Sequence, residues 1–155
     1  MLAIAVITVS DRAYKKEYED LSGPAIKDVL QACLEADISI TVVPDEKEAV
    51  KKAILGHADK DFILTTGGTG LSPRDITPEA TREICDREIP GIGEWLRRES
   101  CRETLNAVLS RGYCGLRGTT IIVNLPGSLK AASFCARLLV PIMEHAMEMV
   151  RGGKH

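Results

Sequence analysis

The five cysteines (Cys33, Cys85, Cys101, Cys114 and Cys135) contain no C-x-x-C pair, and their number is odd. Such a set argues against a disulfide framework, and three dispersed histidines offer no zinc-ligand spacing. No histidine stands where it would activate a thiol, so cysteine catalysis is not indicated. Cys33 and Cys135 fall on apolar helix faces and are expected to be small buried hydrophobes. No apolar run approaches the roughly 18 to 20 residues that span a bilayer. The opening MLAIAVITVSD lacks a basic leader and a small-residue cleavage site, so a cytoplasmic protein with no membrane association is expected. A net charge of −2 gives no whole-surface attraction to nucleic acid or anionic lipid. Repeats, linkers and low-complexity stretches are also lacking, and residues 1–155 are expected to form a single domain.

What is present is an ordinary globular composition, 45% hydrophobic and 27% charged, arranged as apolar strands alternating with helices. Ala3 to Val9 is a continuous β-rich run, as expected of a strand covered on both faces, and a polar loop over 10–20 follows it. Ser22-Gly23-Pro24 opens a helix in which Ile26, Val29, Leu30, Cys33 and Leu34 recur at helical spacing. Ile38 to Val43 reads as a second strand, ended by Pro44-Asp45-Glu46. A helix over about 46–58 buries Val50, Ala53 and Ile54. Phe62-Ile63-Leu64 is a third strand, and Thr77-Pro78-Glu79 starts a helix running to about Asp86, with Thr77 as N-cap. Helical stretches carry Trp95 and Leu96, then Leu105, Val108 and Leu109. Residues 110–118 form a loop or short edge strand, and Thr119 to Asn124 a fourth clear strand. A final helix shows Cys135, Leu138, Leu139, Ile142, Ala146 and Val150 on one face. Pro141 predicts a kink or break there, and the tail over 151–155 is expected to fray.

This alternation predicts an α/β fold, three layers of α/β/α around a mostly parallel sheet. Ligands of such sheets bind at the carboxyl ends of the strands. Each clear strand leads into a distinctive polar loop there: Ser10-Asp11-Arg12, Pro44-Asp45-Glu46, the Gly67–Asp75 loop and Pro126-Gly127-Ser128. The third of these places Gly67, Gly68, Thr69 and Gly70 between a strand and a helix N-terminus, which favours anion binding. It has neither the Walker A ending nor the dinucleotide spacing. A carboxylate inside such a loop repels phosphate unless a cation intervenes, and Asp75 is that carboxylate. Asp45 and Asp75 could converge and share Mg²⁺, although the residues alone favour a turn or helix N-cap role for Asp45, and an Asx-type turn fits Asp75 equally well. Ser128 reads as a helix N-cap or as part of a second cradle for a ligand. Arg12, Arg74, Arg111 and Lys130 stand beside the loops as possible phosphate partners or as solvated surface.

With these segments assembled, the sequence resembles the MogA/gephyrin G-domain family of molybdenum-cofactor biosynthesis. The matching residues are Thr8-Val9-Ser10-Asp11-Arg12, Asp20 with Ser22-Gly23, Val43-Pro44-Asp45-Glu46, and Leu64 through Gly70. They continue with Pro73-Arg74-Asp75-Ile76-Thr77-Pro78-Glu79-Ala80-Thr81, Glu88 with Pro90-Gly91, Leu109-Ser110-Arg111, and Asn124-Leu125-Pro126-Gly127-Ser128. The resemblance implies a molybdopterin adenylyltransferase that takes ATP and molybdopterin as substrates with Mg²⁺, releases pyrophosphate and works as a homotrimer. It also implies handover of the product to a molybdate-insertion protein. Asp45 and Asp75 would be the catalytic, metal-handling pair, and Ser10, Gly67, Gly68, Thr69, Gly70, Pro126, Gly127 and Ser128 would bind nucleotide or pterin. The similar MoaB-like sister group keeps a second expectation open, a non-catalytic pterin-binding protein. Tyr14-Lys15-Lys16-Glu17-Tyr18 departs from the small, glycine-containing loop common in the family.

Overall fold

The computed structural model describes residues 1–153, so the expected fraying of the tail falls partly outside the described residues, at Lys154 and His155. In chain order the elements are β1 (Leu2–Val9), α1 (Asp11–Tyr14), α2 (Ser22–Cys33), β2 (Ala36–Val43), α3 (Lys47–Gly56) and β3 (Phe62–Thr66). Then come α4 (Thr77–Ile84), β4 (Arg87–Glu88), α5 (Pro90–Ser100), a 3₁₀ segment (Leu105–Leu109), β5 (Cys114–Arg117), β6 (Thr120–Leu125) and α6 (Leu129–Val150).

The six strands form one sheet in the order β2-β1-β3-β6-β5-β4. β1, β2, β3 and β6 run parallel, and β5 is antiparallel to both its neighbours. The fold is therefore the three-layer α/β/α arrangement around a mostly parallel sheet. Alternation along β1 divides the core in two. Leu2, Ile4 and Val6 face α2, α5 and α6, meeting Ile26, Leu30, Leu96 and Leu139. Ala5, Ile7 and Val9 face α3 and α4, meeting Val50, Ile54, Ala80 and Ile84. Burial on both faces is why these strands read as unbroken apolar runs rather than alternating ones.

Strand order also places the ligand crevice. From β1 the chain moves outward to β2 through α2, then returns through α3 to β3 on the other side of β1. α2 and α3 lie on opposite faces, so their loops part above the β1–β3 junction, the switch point where doubly wound sheets bind ligands.

Several local expectations are corrected. Cys33 is exposed, because it lies at the last turn of α2 beyond the buried Ile26 and Leu30. Residues Asp11–Tyr14 are helical, closed by the Ser10 hydroxyl accepting from the Ala13 N–H, where a loop was expected. The helix begun at Thr77 ends at Ile84 instead of near Asp86, because Arg87–Glu88 joins the sheet beside β5. Of the kink or break expected at Pro141, the break does not occur, and α6 runs on through it. Pro141 and Arg137, whose carbonyl loses its donor, are both exposed, so water can satisfy that carbonyl. The described part of the tail is tied down as well. Backbone bonds run from Arg151, Gly152 and Gly153 to Met147, Met149 and Glu148, and the Arg151 guanidinium reaches Asp61 at 2.9 Å.

Candidate functional site

The loops at the carboxyl ends of β1, β2, β3 and β6 are tied to one another by bonds that leave little freedom. The Asp11 N–H donates to Asp45 Oδ2 at 2.8 Å, and the Asp45 N–H returns a bond to Asp11 Oδ1 at 3.0 Å. Gly67 bends over the end of β1 with φ of +103°, so close that a Cβ there would stand 2.3 Å from the Val9 carbonyl oxygen. The Thr66 hydroxyl donates to the Pro126 carbonyl at 2.7 Å, and the Ser22 hydroxyl donates to the Gly127 carbonyl at 2.8 Å. Four stretches separated in sequence thus become one rigid rim.

Asp45 and Asp75 line the same cleft, of about 420 Å³, together with Ser10, Thr66, Gly67, Gly68 and Gly127. On the far side of the glycine loop and the Pro126 turn lies a second cleft of about 490 Å³. Thr69, Gly70, Pro126 and Ser128 line that one, with Leu96, Phe134 and the buried Asn124 among its walls. The expected binding residues are therefore shared between two adjoining clefts, with the glycine loop as the partition. The N–H groups of Gly68, Thr69 and Gly70 donate to none of the described residues, which leaves three uncommitted donors in that partition.

The two carboxylates are held differently. Asp75 Oδ2 accepts from the Ser72 N–H at 3.0 Å, a turn-ordering bond, and Asp45 Oδ2 accepts from Asp11. Oδ1 of each accepts no hydrogen bond from the described residues. Burial pushes the Asp45 carboxyl above its ordinary pKa against the bond from the Asp11 N–H, and the nearby carboxylates of Asp11 and Asp75 push the same way. Asp11 is shifted downward, chiefly by its hydrogen bonds from Arg74, whose Nη2 and Nε stand 2.6 and 3.2 Å from Oδ2.

Thr77 is not the N-cap of α4. Ile76 holds that position without a side-chain bond, and Thr77 is the first helical residue, its N–H donating to the Gly68 carbonyl at 3.1 Å. Its fully buried hydroxyl lacks a partner among the described residues. It faces Gly68, where a Cβ would stand 2.2 Å from Thr77 Oγ1 and 3.4 Å from Asp45 Oδ1. Ser128 does cap α6, accepting from the Ala131 N–H at 3.3 Å.

Of the basic residues beside the loops, two are committed internally. Arg111 clamps the glycine loop: its Nε donates to the Gly70 carbonyl at 2.8 Å, Nη2 to the Asp75 carbonyl at 2.7 Å, and Nη1 to Glu79. Arg74 is engaged by Asp11, and Arg12 lies over the Tyr18 ring with 5.1 Å to its centroid. Lys130 is exposed, 4.0 Å from Glu103. Beneath the loop is a buried polar network that no periodicity signals. Asn124 Nδ2 donates to the hydroxyls of Thr65 and Thr81 at 3.0 Å each, its Oδ1 accepts from the Tyr113 N–H, and Thr81 donates to the Thr77 carbonyl at 2.8 Å.

Chemically, the rim offers, among the described residues, two carboxylates with one free oxygen each, uncommitted N–H donors, and two clefts that adjoin the same backbone. Comparison with known proteins bears on what docks there. Residues 5–145 match the family described as "Probable molybdopterin binding domain". A Helicobacter pylori (strain J99) protein named molybdopterin adenylyltransferase is 39% identical over 154 residues, 96% of this chain and 88% of that protein. The Drosophila melanogaster protein named molybdenum cofactor synthesis protein cinnamon is 37% identical over 96% of the chain, which spans only 26% of that protein's length. Among solved structures, the molybdopterin biosynthesis enzyme MoaB of Thermus thermophilus superposes with a TM-score of 0.90 at 45% identity, covering 98% of both chains.

Proposed function

The chain belongs to the molybdopterin-binding domain family, and on that premise we propose that it is a nucleotidyltransferase of molybdenum-cofactor biosynthesis, a molybdopterin adenylyltransferase. The observation that carries this reading is the convergence of Asp45 and Asp75 on one cleft, beside three uncommitted N–H groups at the sheet's switch point. In the reaction, the terminal phosphate oxygen of molybdopterin attacks the α-phosphorus of ATP. The new P–O bond forms as the bond to the bridging oxygen breaks, and pyrophosphate leaves with that electron pair.

The residues of this chain do three things for that displacement. The N–H groups of Gly68, Thr69 and Gly70 receive phosphate oxygens without having to break internal bonds, as preorganised donors do. The partition between the clefts lets two substrates approach one reacting phosphate from either side, which converts an encounter into a held geometry. Ser10, Gly67 and Gly127 shape the carboxylate side, and Pro126 and Ser128 shape the other.

The donor set suits Mg²⁺. Each carboxylate keeps one unbonded oxygen, and Asp45 sits among carboxylates that a cation would relieve. Among the described residues no cluster of three or more metal-binding side chains exists. Mg²⁺ matches such a site, since it is held by one or two carboxylates, substrate phosphates and water. When bound by Asp45 and Asp75, it supplies neutralisation of phosphate charge.

A homotrimer and handover of the adenylate to a molybdate-insertion protein belong to the same proposal, as does a cytoplasmic setting. Among the described residues no helix is long and apolar enough to cross a membrane. Exposed Leu105 and Val108 on the 3₁₀ segment supply apolar surface of the kind an assembly buries.

The test incubates the protein with molybdopterin, ATP and Mg²⁺ and looks for adenylyl-molybdopterin and pyrophosphate. Asp75→Asn and Asp45→Asn are expected to keep the fold and pterin binding while turnover falls by roughly a hundredfold or more. One alternative is a non-catalytic pterin binder, which a match to a family described only by molybdopterin binding equally allows. Pterin binding by the wild-type protein without any adenylate would establish that alternative instead.

A further inference from the structure

The polar cleft has an apolar rim that the reaction so far leaves unused. Tyr18, Leu21 and Leu129 line it and are 45%, 55% and 45% exposed. Beneath them the floor is polar, with Ser10, Asp45, Thr66 and Asp75. Apolar walls above convergent polar groups suit a ligand with a flat ring at one end and charge at the other.

Tyr18 is held in place despite its exposure. Its hydroxyl shares a 2.8 Å hydrogen bond with Ser10 Oγ, and the Arg12 guanidinium lies over its ring. The strap that carries it is fixed at its exit, where Asp20 accepts from the Thr8 hydroxyl at 2.8 Å and from the Gly23 N–H at 3.1 Å. At its entry the strap turns through Lys16 with φ of +59°, a left-handed conformation that costs a non-glycine residue energy. An aromatic ring pinned at its tip and on one face loses little further entropy when a second ring stacks on it. Glu19, the next residue, lines the same cleft, and its carboxylate pairs with none of the described residues.

We propose that Tyr18 is the platform on which the heterocycle of one substrate lies, with the Glu19 carboxylate accepting a hydrogen bond from that ring's exocyclic amine. The proposal rests on the adenylyl-transfer reading and adds to it a residue that selects a ring. Adenine and pterin are both flat and amine-bearing, and a π face beside a carboxylate recognises that shared chemistry. The carboxylate–glycine floor then takes the phosphate end.

The experiment titrates ATP and molybdopterin separately into the full chain and into Tyr18→Ala, Tyr18→Phe and Glu19→Gln, and measures KM and kcat on the same proteins. Loss of a base–aromatic stack weakens binding by roughly five- to a hundredfold. Tyr18→Ala is therefore expected to raise Kd and KM for one substrate by that factor with kcat little changed. Tyr18→Phe keeps the ring and should restore most of the loss, while Glu19→Gln should weaken the same substrate. A shift in the ATP arm identifies adenine as the stacked ring, and a shift in the molybdopterin arm identifies the pterin. Unchanged binding of both substrates by Tyr18→Ala overturns the proposal. So does a loss that Tyr18→Phe fails to restore, since Tyr18 would then serve only its bond to Ser10. Wild-type binding with no adenylate overturns the reaction and leaves the platform to be judged by the Kd arms. Wild-type binding of neither substrate overturns both.

Discussion

Gly68 is the position where backbone strain and steric crowding coincide, and the two contributions can be separated experimentally. Its φ of +69° lies in the left-handed region, where an L side chain costs about 1–2 kcal/mol. A Cβ added there would also stand 2.2 Å from Thr77 Oγ1, far inside contact distance. Thr77 cannot simply withdraw, because it is fully buried and its N–H is bonded to the Gly68 carbonyl. Overpacking of this kind adds about 1–3 kcal/mol, so Gly68→Ala should cost about 2–5 kcal/mol in all. Gly118 is the control, with φ of +56° and nothing within 4 Å of its added Cβ. Gly118→Ala should therefore cost only the backbone share, about 1–2 kcal/mol. Thr77→Ala removes the clashing oxygen and leaves Cβ of residue 77 at 3.3 Å and Asp45 Oδ1 at 3.4 Å, both far less severe. The double variant should then recover most of the overpacking cost, a coupling of about 1–3 kcal/mol. Urea denaturation of the four single and double variants measures each of these quantities. If Gly68→Ala proves no worse than Gly118→Ala, or if Thr77→Ala rescues nothing, the contact at Gly68 is not what limits that position.

Three further outcomes follow from other parts of the molecule. Asn124→Leu leaves the Tyr113 N–H unpartnered in the core and cuts two bonds holding Thr65 and Thr81, so thermal or urea unfolding should show a loss of about 2–4 kcal/mol. Lys16→Gly relieves a left-handed non-glycine residue but loosens the unfolded chain; a net gain of up to about 1 kcal/mol is expected, and a loss would contradict the strain argument. Burial pushes the Cys85 thiol up to about 11 from 9.0, so the folded chain keeps that proton where the unfolded chain has released it. Cys85 therefore lowers stability as pH climbs from about 9 towards 11, and Cys85→Ala should flatten that decline in unfolding curves.

Recognition of the fold from sequence worked where one physical cause fixed one pattern. β1 and β3 are buried on both faces, and unbroken apolar runs follow from that. The α2 stripe was legible through Ile26 and Leu30 but misread at Cys33, because periodicity assigns a face and cannot say where the neighbouring layer ends. The segment carrying Leu105, Val108 and Leu109 shows the same limit. Its apolar spacing suggested a helical stretch, and these residues form a 3₁₀ segment with Leu105 80% exposed, so the spacing did not say whether a layer covers it. Both loops bearing Asp45 and Asp75 were identifiable, since turn residues at strand ends mark the ligand edge of a parallel sheet. The residues that set their geometry were not. Reciprocal bonding of Asp11 with Asp45 joins positions 34 apart, and Arg111 reaches back 41 residues to Gly70. No local pattern encodes such a partner. An arginine beside a glycine loop looked the same whether it awaited phosphate or had already closed on carbonyls.

That distinction changes the electrostatic account of the site. Arg74 and Arg111 are the cations closest in character to phosphate binders, yet each is engaged by protein groups, Arg74 by Asp11 and Arg111 by Glu79 and two carbonyls. Their positive charge sustains the loops instead of facing the clefts unopposed. Asp11, with Arg74 on it, is shifted down, whereas Asp45, joined to Asp11 through backbone bonds, is shifted up by burial and like charge. Two adjacent aspartates in one staple thus have opposite environments: Asp11 is paired directly with a guanidinium, and at Asp45 burial outweighs the Asp11 N–H and the more distant charge of Arg74. Asp45, the carboxylate without a direct cation partner among the described residues, is the one with a free oxygen on the cleft. Polyphosphate entering there would meet repulsion that Arg74, already paired with Asp11, offsets only in part. A divalent ion arriving with the nucleotide would relieve Asp45, Asp75 and the phosphates together, and so substrate binding and metal binding at this rim should strengthen each other. Titrating ATP with and without Mg²⁺ measures that coupling directly: equal affinity in both titrations would mean the carboxylates do not hold the ion.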